Sequence, residues 1–405
     1  MKRQIIKSKN LPNEKKYSKN LRSFALTLHY LAPRAYSYVR RTFQSCLPHT
    51  STISRWYQNI DGNPGFTIES LNALKNKAKS SNYPILCSLV LDEMAIRKSV
   101  EWDGNNFHGY VSLNGDVEGD YIEEAKDALV FLIVSINSNW KIPVGYFLVN
   151  GVSGEQRANL VRQCLNSLKE TGVQVISITF DACPSNLNMA KSLGCNLSAN
   201  KMKSTFTDPA TNREIAIFVD ACHALKLVRI CFQAKSVLYD SDDLPIKWSY
   251  LELLEKVQKD EGFALANKLK GKHLNFHNNI MKVKLASQLL SRSVSRALDF
   301  CANRLNIPEF SGVDSTCNFL KVINDLFDLL NSRNLMQIGF KKPITNENAH
   351  EFFNFMKFVE KYLLNLYTIE EKFDRRKNEE IMIRVPLVSS QRKSGCILGT
   401  VSVVG

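Results

Sequence analysis

The chain has 405 residues, 44% of them hydrophobic and 10% aromatic, which excludes a disordered polymer and is enough for two or three folded units. No apolar run approaches the ~18 uncharged residues of a membrane-crossing helix. The polar, Lys-rich start gives no secretory leader, and the ten cysteines form no CxxC pair, so reduced thiols in a cytosolic or nuclear protein are expected. Lys and Arg outnumber Asp and Glu by 53 to 39, and residues 1–80 carry +12 of the net +14. A basic block on a nearly neutral body points to a polyanion, DNA or RNA, as partner.

Residues 1–16 read as a basic disordered tail. From Tyr17, the apolar residues Leu21, Phe24, Ala25, Leu28 and Leu31 recur at helical spacing, and Ala32-Pro33 ends that helix. A second short helix carries Ala35, Tyr38 and Val39 as its apolar positions and ends on Arg40-Arg41. A third, capped by Thr50 or Ser51, carries Arg55, Trp56 and Tyr57. Three short helices within 17–62 fit a helix-turn-helix-like unit, with Arg34, Arg40, Arg41 and Arg55 as candidate DNA contacts. Ordinary packing of a small helical bundle is the alternative. Asp61-Gly62-Asn63-Pro64-Gly65 is a turn and a boundary.

From Pro84 the pattern becomes β-rich. Ile85–Leu91 is a continuous apolar run ending in Asp92, as a buried central strand requires. Phe107–Leu113 alternates and is expected to be its hairpin partner. Ala128–Val134 and Pro143–Val149 are further strands. Ser153-Gly154-Glu155 opens a helix through Leu160, Val161, Cys164, Leu165 and Leu168, stopped by Gly172. Val173–Phe180 is another buried strand and it too ends in an acid, Asp181.

If those two strands are neighbours, Asp92 and Asp181 meet at one end of a sheet and can share divalent cations that activate a hydroxyl and stabilise the leaving oxygen of a phosphodiester. A helix cap or a turn is the alternative use of an Asp at a strand end. Glu93, next along the strand, is expected to point to the other face. Glu347 and Glu351 fit a surface role. No GxxxxGK[ST] loop is present, so composition alone does not suggest a nucleotide site. No Cys/His pair near His223 has zinc-ligand spacing, and a packed histidine is the simpler reading.

Several ordered blocks go beyond pattern. Leu91–Lys98, Asn137–Phe147, Phe180-Asp181 followed by Ser185-Asn186, Leu193-Gly194, Val219–Lys226, Met281–Gln288 and Asn324–Arg333 together resemble the P-element-type transposases, including the THAP-domain-associated ones. The resemblance runs over roughly residues 17–400. It implies an α/β, ribonuclease-H-like (DDE) catalytic domain, with an N-terminal part at 80–213, interrupted by a mostly helical GTP-binding insertion at 214–345. Residues 346–405 would be the return segment. The implied activity is cut-and-paste DNA transposition, with Mg²⁺ (or Mn²⁺) for cleavage and strand transfer and GTP as a cofactor that is not hydrolysed.

By motif position, Asp92 and Asp181 are similar to the family's first two catalytic, metal-holding carboxylates. Lys282, Val283, Asp328 and Asn331 sit where the family contacts GTP. The resemblance implies that Asp328 accepts from guanine N1–H and N2–H while Asn331 meets O6. One of Lys268, Lys270 and Lys272 would meet phosphate. Transposon-end and target DNA, a homo-oligomer or a mixed oligomer with a full-length transposase, a nuclear location and no membrane are implied with it.

Two departures qualify this. Only Cys46 precedes Cys87, so the family's zinc-binding DNA domain, which needs C-x2–4-C and a later C-x2-H, is not expected. Gln391–Cys396 and Gly399 resemble the family's R-K-T-G-F-x-G, but the S-Q-D-x-L-E-like helix with the third carboxylate is not reached. The expectation is therefore a truncated, catalytically impaired form. A DNA- and GTP-binding regulator and an inert gene remnant are the alternatives.

Overall fold

The computed structural model describes residues 17–57, 62–112, 123–198, 201–262, 265–266, 268–332, 336–374 and 379–386. The N-terminal tail 1–16 and the block Gln391–Gly399 lie outside them. The chain divides into two compact units, Met1–Glu69 and Ser70–Gly405.

Among its described residues the first unit has the helices α1 (Lys19–Leu31), α2 (Pro33–Thr42) and α3 (Thr50–Tyr57). Ser18 caps α1 by accepting from the Leu21 amide, and Pro33 at the first turn of α2 uses a position whose N–H has no helical partner. The core is small: Ala25, Tyr36, Leu47 and Ile53, with Leu21, Leu28, Val39 and Trp56 against it. The expected apolar face is corrected in part. Tyr38 is 64% exposed and Phe24 51% exposed, while Tyr36 is fully buried. The reason is a hydrogen bond: the Tyr36 hydroxyl donates to the Pro48 carbonyl at 2.6 Å, tying α2 to the segment before α3 and satisfying the one polar atom that burial would strand.

The second unit contributes these six strands to a mixed sheet: β1 (Leu86–Ala95), β2 (Asp127–Ser135), β3 (Lys141–Val149), β4 (Gln174–Phe180), β5 (Thr205–Asp208) and β6 (Arg213–Val219), in the order β3-β2-β1-β4-β6-β5. The β1–β2 and β2–β3 pairs are antiparallel, and β1–β4 and β4–β6 are parallel. An antiparallel meander passing into parallel central strands is the ribonuclease-H-like layout. The expected partner of β1 is corrected. Among the described residues Phe107–His108 pairs with Glu101–Trp102, and β2 takes the place beside β1. Two features exclude the earlier segment. Phe107 is 63% exposed, and Gly109 has a positive φ of 113°, where a Cβ would stand 2.1 Å from the Ser99 carbonyl oxygen.

Helix α4 (Gly154–Lys169) follows β3 and opens with a reciprocal Ser153/Gln156 capping box; α5 (Pro184–Leu193) follows β4. They approach closely at Gly154, where a Cβ would lie 2.6 Å from the Asn188 Cβ.

After β6 the chain is mainly helical: α6 (Ala221–Lys235), α7 (Ser249–Asp260), α8 (Val283–Leu289), α9 (Arg292–Asn303), α10 (Asp314–Leu330) and α11 (Ala349–Leu364). Phe232, Trp248, Leu251, Leu289, Leu298 and Phe319 are among the residues of its large apolar core. A small sheet runs in the order β8 (Pro245–Lys247), β7 (Val237–Tyr239), β9 (Tyr367–Asp374), β10 (Glu379–Pro386). Among the described residues no helix is long and apolar enough to cross a membrane.

Candidate active site and nucleotide region

The parallel register decides where the acids fall. Val90 pairs with Thr179 and Phe180 with Val219, so Asp92, Asp181 and Asp220 stand level on three adjacent strands; Asp181 and Asp220 follow the last residues of β4 and β6, whereas β1 runs on past Asp92 to Ala95, beyond the end expected from the sequence. The structure thus makes Asp92 and Asp181 neighbours, the condition that the strand pattern left open. Desolvation by burial pushes the Asp92 carboxyl above the usual carboxylate range, and the charges of Asp181 and Asp220 push in the same direction. The Glu93 amide, which donates to Asp92 Oδ1 at 2.9 Å, and the Lys226 ammonium act against that rise.

Asp220 is already in use as a cap, accepting from the His223 amide at 2.8 Å. Among the described residues no group of three or more His, Cys, Asp or Glu side chains gathers tightly enough to enclose an ion. Two carboxylates whose charge is poorly compensated nevertheless suit Mg²⁺, which takes one or two carboxylate oxygens and completes its shell with water and phosphate oxygens.

Asp181 is held by its surroundings. Its Oδ1 accepts from Asn186 Nδ2 at 2.6 Å and from the Cys183 amide at 3.3 Å. Glu93 points away from this contact, as strand alternation predicts, and its Oε1 accepts from Arg157 Nη2 at 2.5 Å.

The proposed guanine residues lie in the helical region. Lys282 is exposed and precedes the first residue of α8, Val283. Asp328 is in the last turn of α10 and Asn331 is its C-cap. No hydrogen bond or ion pair among the described residues links the two pairs. Both oxygens of Asp328 are engaged within the chain: Oδ1 faces the Lys341 ammonium at 3.0 Å and Oδ2 accepts from Asn324 Nδ2 at 3.1 Å. Beside them, Arg292 forks onto both oxygens of the buried Asp325 at 2.6 and 2.5 Å, a contact that raises the guanidinium's pKa further. Guanine at Asp328 would share these oxygens with Lys341 and Asn324 or displace them.

Of the four candidate DNA-contacting arginines, Arg34, Arg41 and Arg55 are exposed, while Arg40 Nε donates to the Leu47 and Pro48 carbonyls at 3.3 and 3.1 Å. Arg40 therefore also serves the fold of the first unit.

Sequence reasoning did not single out three buried cations. Arg157, Lys226 and Arg229 are at most 8% exposed. Arg229 is fully buried, with its guanidinium carbon 3.7 Å from the Phe276 ring centroid; desolvation lowers its pKa to about 10. Their signal is positional. Arg157 continues the Val161, Cys164, Leu168 stripe of α4, and Arg229 lies between Leu225 and Phe232 on the buried face of α6.

Three family models match the chain: "Transposable element P transposase-like, HTH domain" over residues 1–56, "TNP-like, RNase H N-terminal domain" over 62–194, and "TNP-like, GTP-binding insertion domain" over 222–343. The chain is 31% identical over 336 residues to DNA transposase THAP9 of Homo sapiens, covering 82% of this chain and 37% of that protein. It is 27% identical over 315 residues to the Transposable element P transposase of Drosophila melanogaster, covering 77% and 38% respectively. It therefore spans little more than a third of these curated relatives. The solved Drosophila P element transposase strand transfer complex superposes with a TM-score of 0.71 at 21% identity, over 98% of this chain and 81% of that one, a likeness of fold. On the three family models and the two relatives, the chain belongs to the P-element-type transposase family.

Proposed function

We propose that this chain carries Mg²⁺- or Mn²⁺-dependent DNA cleavage and strand transfer of the P-element type, in a protein that also binds GTP. The observation that carries this reading is the level placement of Asp92 and Asp181 on adjacent parallel strands. Each carboxylate would supply one oxygen to the cation. A bound divalent ion would acidify a hydroxyl and offset charge on the leaving oxygen of a phosphodiester. Lys226, buried nearby, tempers the charge without neutralising it.

Exposed Arg34, Arg41 and Arg55 would meet DNA phosphates, a contact that weakens steeply with salt. Lys282, Val283, Asp328 and Asn331 would hold GTP as a cofactor that is not hydrolysed, with Asp328 exchanging Lys341 and Asn324 for guanine. A nuclear setting and assembly into a homo-oligomer, or a mixed oligomer with a longer transposase, belong to the same proposal.

The test is Mn²⁺ titration of the purified full chain followed by paramagnetic resonance. Asp92→Ala and Asp181→Ala should each weaken binding by at least about tenfold and abolish any Mg²⁺-dependent nicking of duplex DNA. Mn²⁺ binding indifferent to both substitutions overturns the reading.

A further inference from the structure

We propose that Asn186 and Arg157 are positioning residues for Asp181, a relay that fixes the orientation in which its carboxylate meets the metal; this rests on the metal reading above. Both side chains are 4% exposed, so neither exchanges partners freely with water. Asn186 Nδ2 donates to Asp181 Oδ1 at 2.6 Å and to the Asp181 carbonyl at 3.2 Å, while Asn186 Oδ1 accepts from Arg157 Nη1 at 3.0 Å. Arg157 Nη2 donates to Glu93 Oε1 at 2.5 Å and Nε to the Val152 carbonyl at 3.3 Å.

The polarity of this chain follows from chemistry. A guanidinium has only donors, so the oxygen of the Asn186 amide must face Arg157, and its NH₂ must then face Asp181. Arg157 thereby fixes an amide that could otherwise rotate by half a turn. Asn186 and the Cys183 amide hold Oδ1 of Asp181, which fixes the rotation of the carboxylate and so the direction in which it can meet a cation. The far end of the relay is the exposed Glu93, directly after Asp92, so one hydrogen-bond network with a buried middle joins the strands that carry both acids. Both helical residues lie on the apolar stripes of α4 and α5, where hydrophobic residues would pack more cheaply. A buried polar residue in such a place is accounted for by what it orients.

The experiment uses the full chain and Mn²⁺ as probe, with Asn186→Leu, Asn186→Asp, Arg157→Lys and Asp181→Asn compared at matched foldedness by circular dichroism. Asn186→Leu and Asn186→Asp should weaken Mn²⁺ binding about tenfold, the loss usual when a ligand's outer partner is removed. Arg157→Lys retains the charge beside Glu93 but loses the fork, and should weaken it about threefold, which keeps the test open should the Asn186 variants not fold. Tyr250→Phe, which removes a hydrogen bond to the Ser311 carbonyl in the helical region, controls for general destabilisation and should leave affinity unchanged. Wild-type affinity in folded Asn186 and Arg157 variants, with Asp181→Asn defective, overturns this proposal alone. Mn²⁺ binding that does not depend on Asp181 overturns the metal reading and this proposal together.

Discussion

At the end of the central sheet, Asp92, Asp181 and Asp220 stand on adjacent strands with one nearby amine, Lys226, to temper them. At the end of α10, Asp325 and Asp328 are each met by a cation, Arg292 and Lys341. The first cluster carries charge it has not compensated, and the second has compensated its charge internally. A carboxylate group of the first kind gains most from an incoming cation. One of the second kind is already stabilised and gains less from a further partner. The same residue type thus serves binding in one place and architecture in the other, according to what surrounds it.

Removing charge from each cluster should therefore have opposite signs. The largest effect is expected at Arg292→Leu, which leaves the 7%-exposed Asp325 without its fork and should destabilise α9 and α10 by about 1–3 kcal/mol, read as faster hydrogen exchange in those helices. An unchanged exchange rate would remove the architectural half of the contrast. A smaller effect should follow Lys341→Ala, which frees Asp328 Oδ1; if guanine binds there, affinity for GTP should rise about two- to fivefold in an equilibrium titration. A fall in affinity would instead make Lys341 part of the nucleotide site. The smallest is Asp92→Asn, expected to stabilise the metal-free chain by a few tenths of a kcal/mol, since Asp92 keeps an exposed edge. Raising the salt concentration should shrink that gain, because it arises from repulsion. Destabilisation would show that the sheet-end charge is already balanced.

How much of this was legible in the sequence differs between the two regions for a physical reason. A strand read as Ile85–Leu91 and closed by an acid fixes its own side-chain alternation, so Asp92 and the opposed direction of Glu93 could be anticipated from period two alone. The neighbourhood of Asp92 and Asp181 could be framed only as a condition, because strand order is a long-range property; the β1–β4 register supplies it. The same blindness to long-range pairing explains the misplaced Phe107 segment.

In the helical region the residues lie on faces whose partners are far apart in sequence, and Asp328 read alone is a helix-surface acid. Only the family resemblance pointed to it, and its engagement by Lys341 and Asn324 had no local signal. Arg157 and Asn186 did leave a trace, a charge and an amide interrupting otherwise apolar stripes. In the first unit, Tyr36 rather than Tyr38 took the buried position because its hydroxyl found the Pro48 carbonyl, a partner twelve residues away.

The close approach at Gly154 has a bearing on inheritance as well as on packing. The bare backbone there lets α4 lie against α5 at Asn188 and Met189, the helix pair that carries Arg157 and Asn186. Any side chain at 154 would wedge the pair apart near the relay that holds Asp181. A lineage could thus lose its chemistry through a change at a position that touches neither carboxylate, while every acidic residue remained intact.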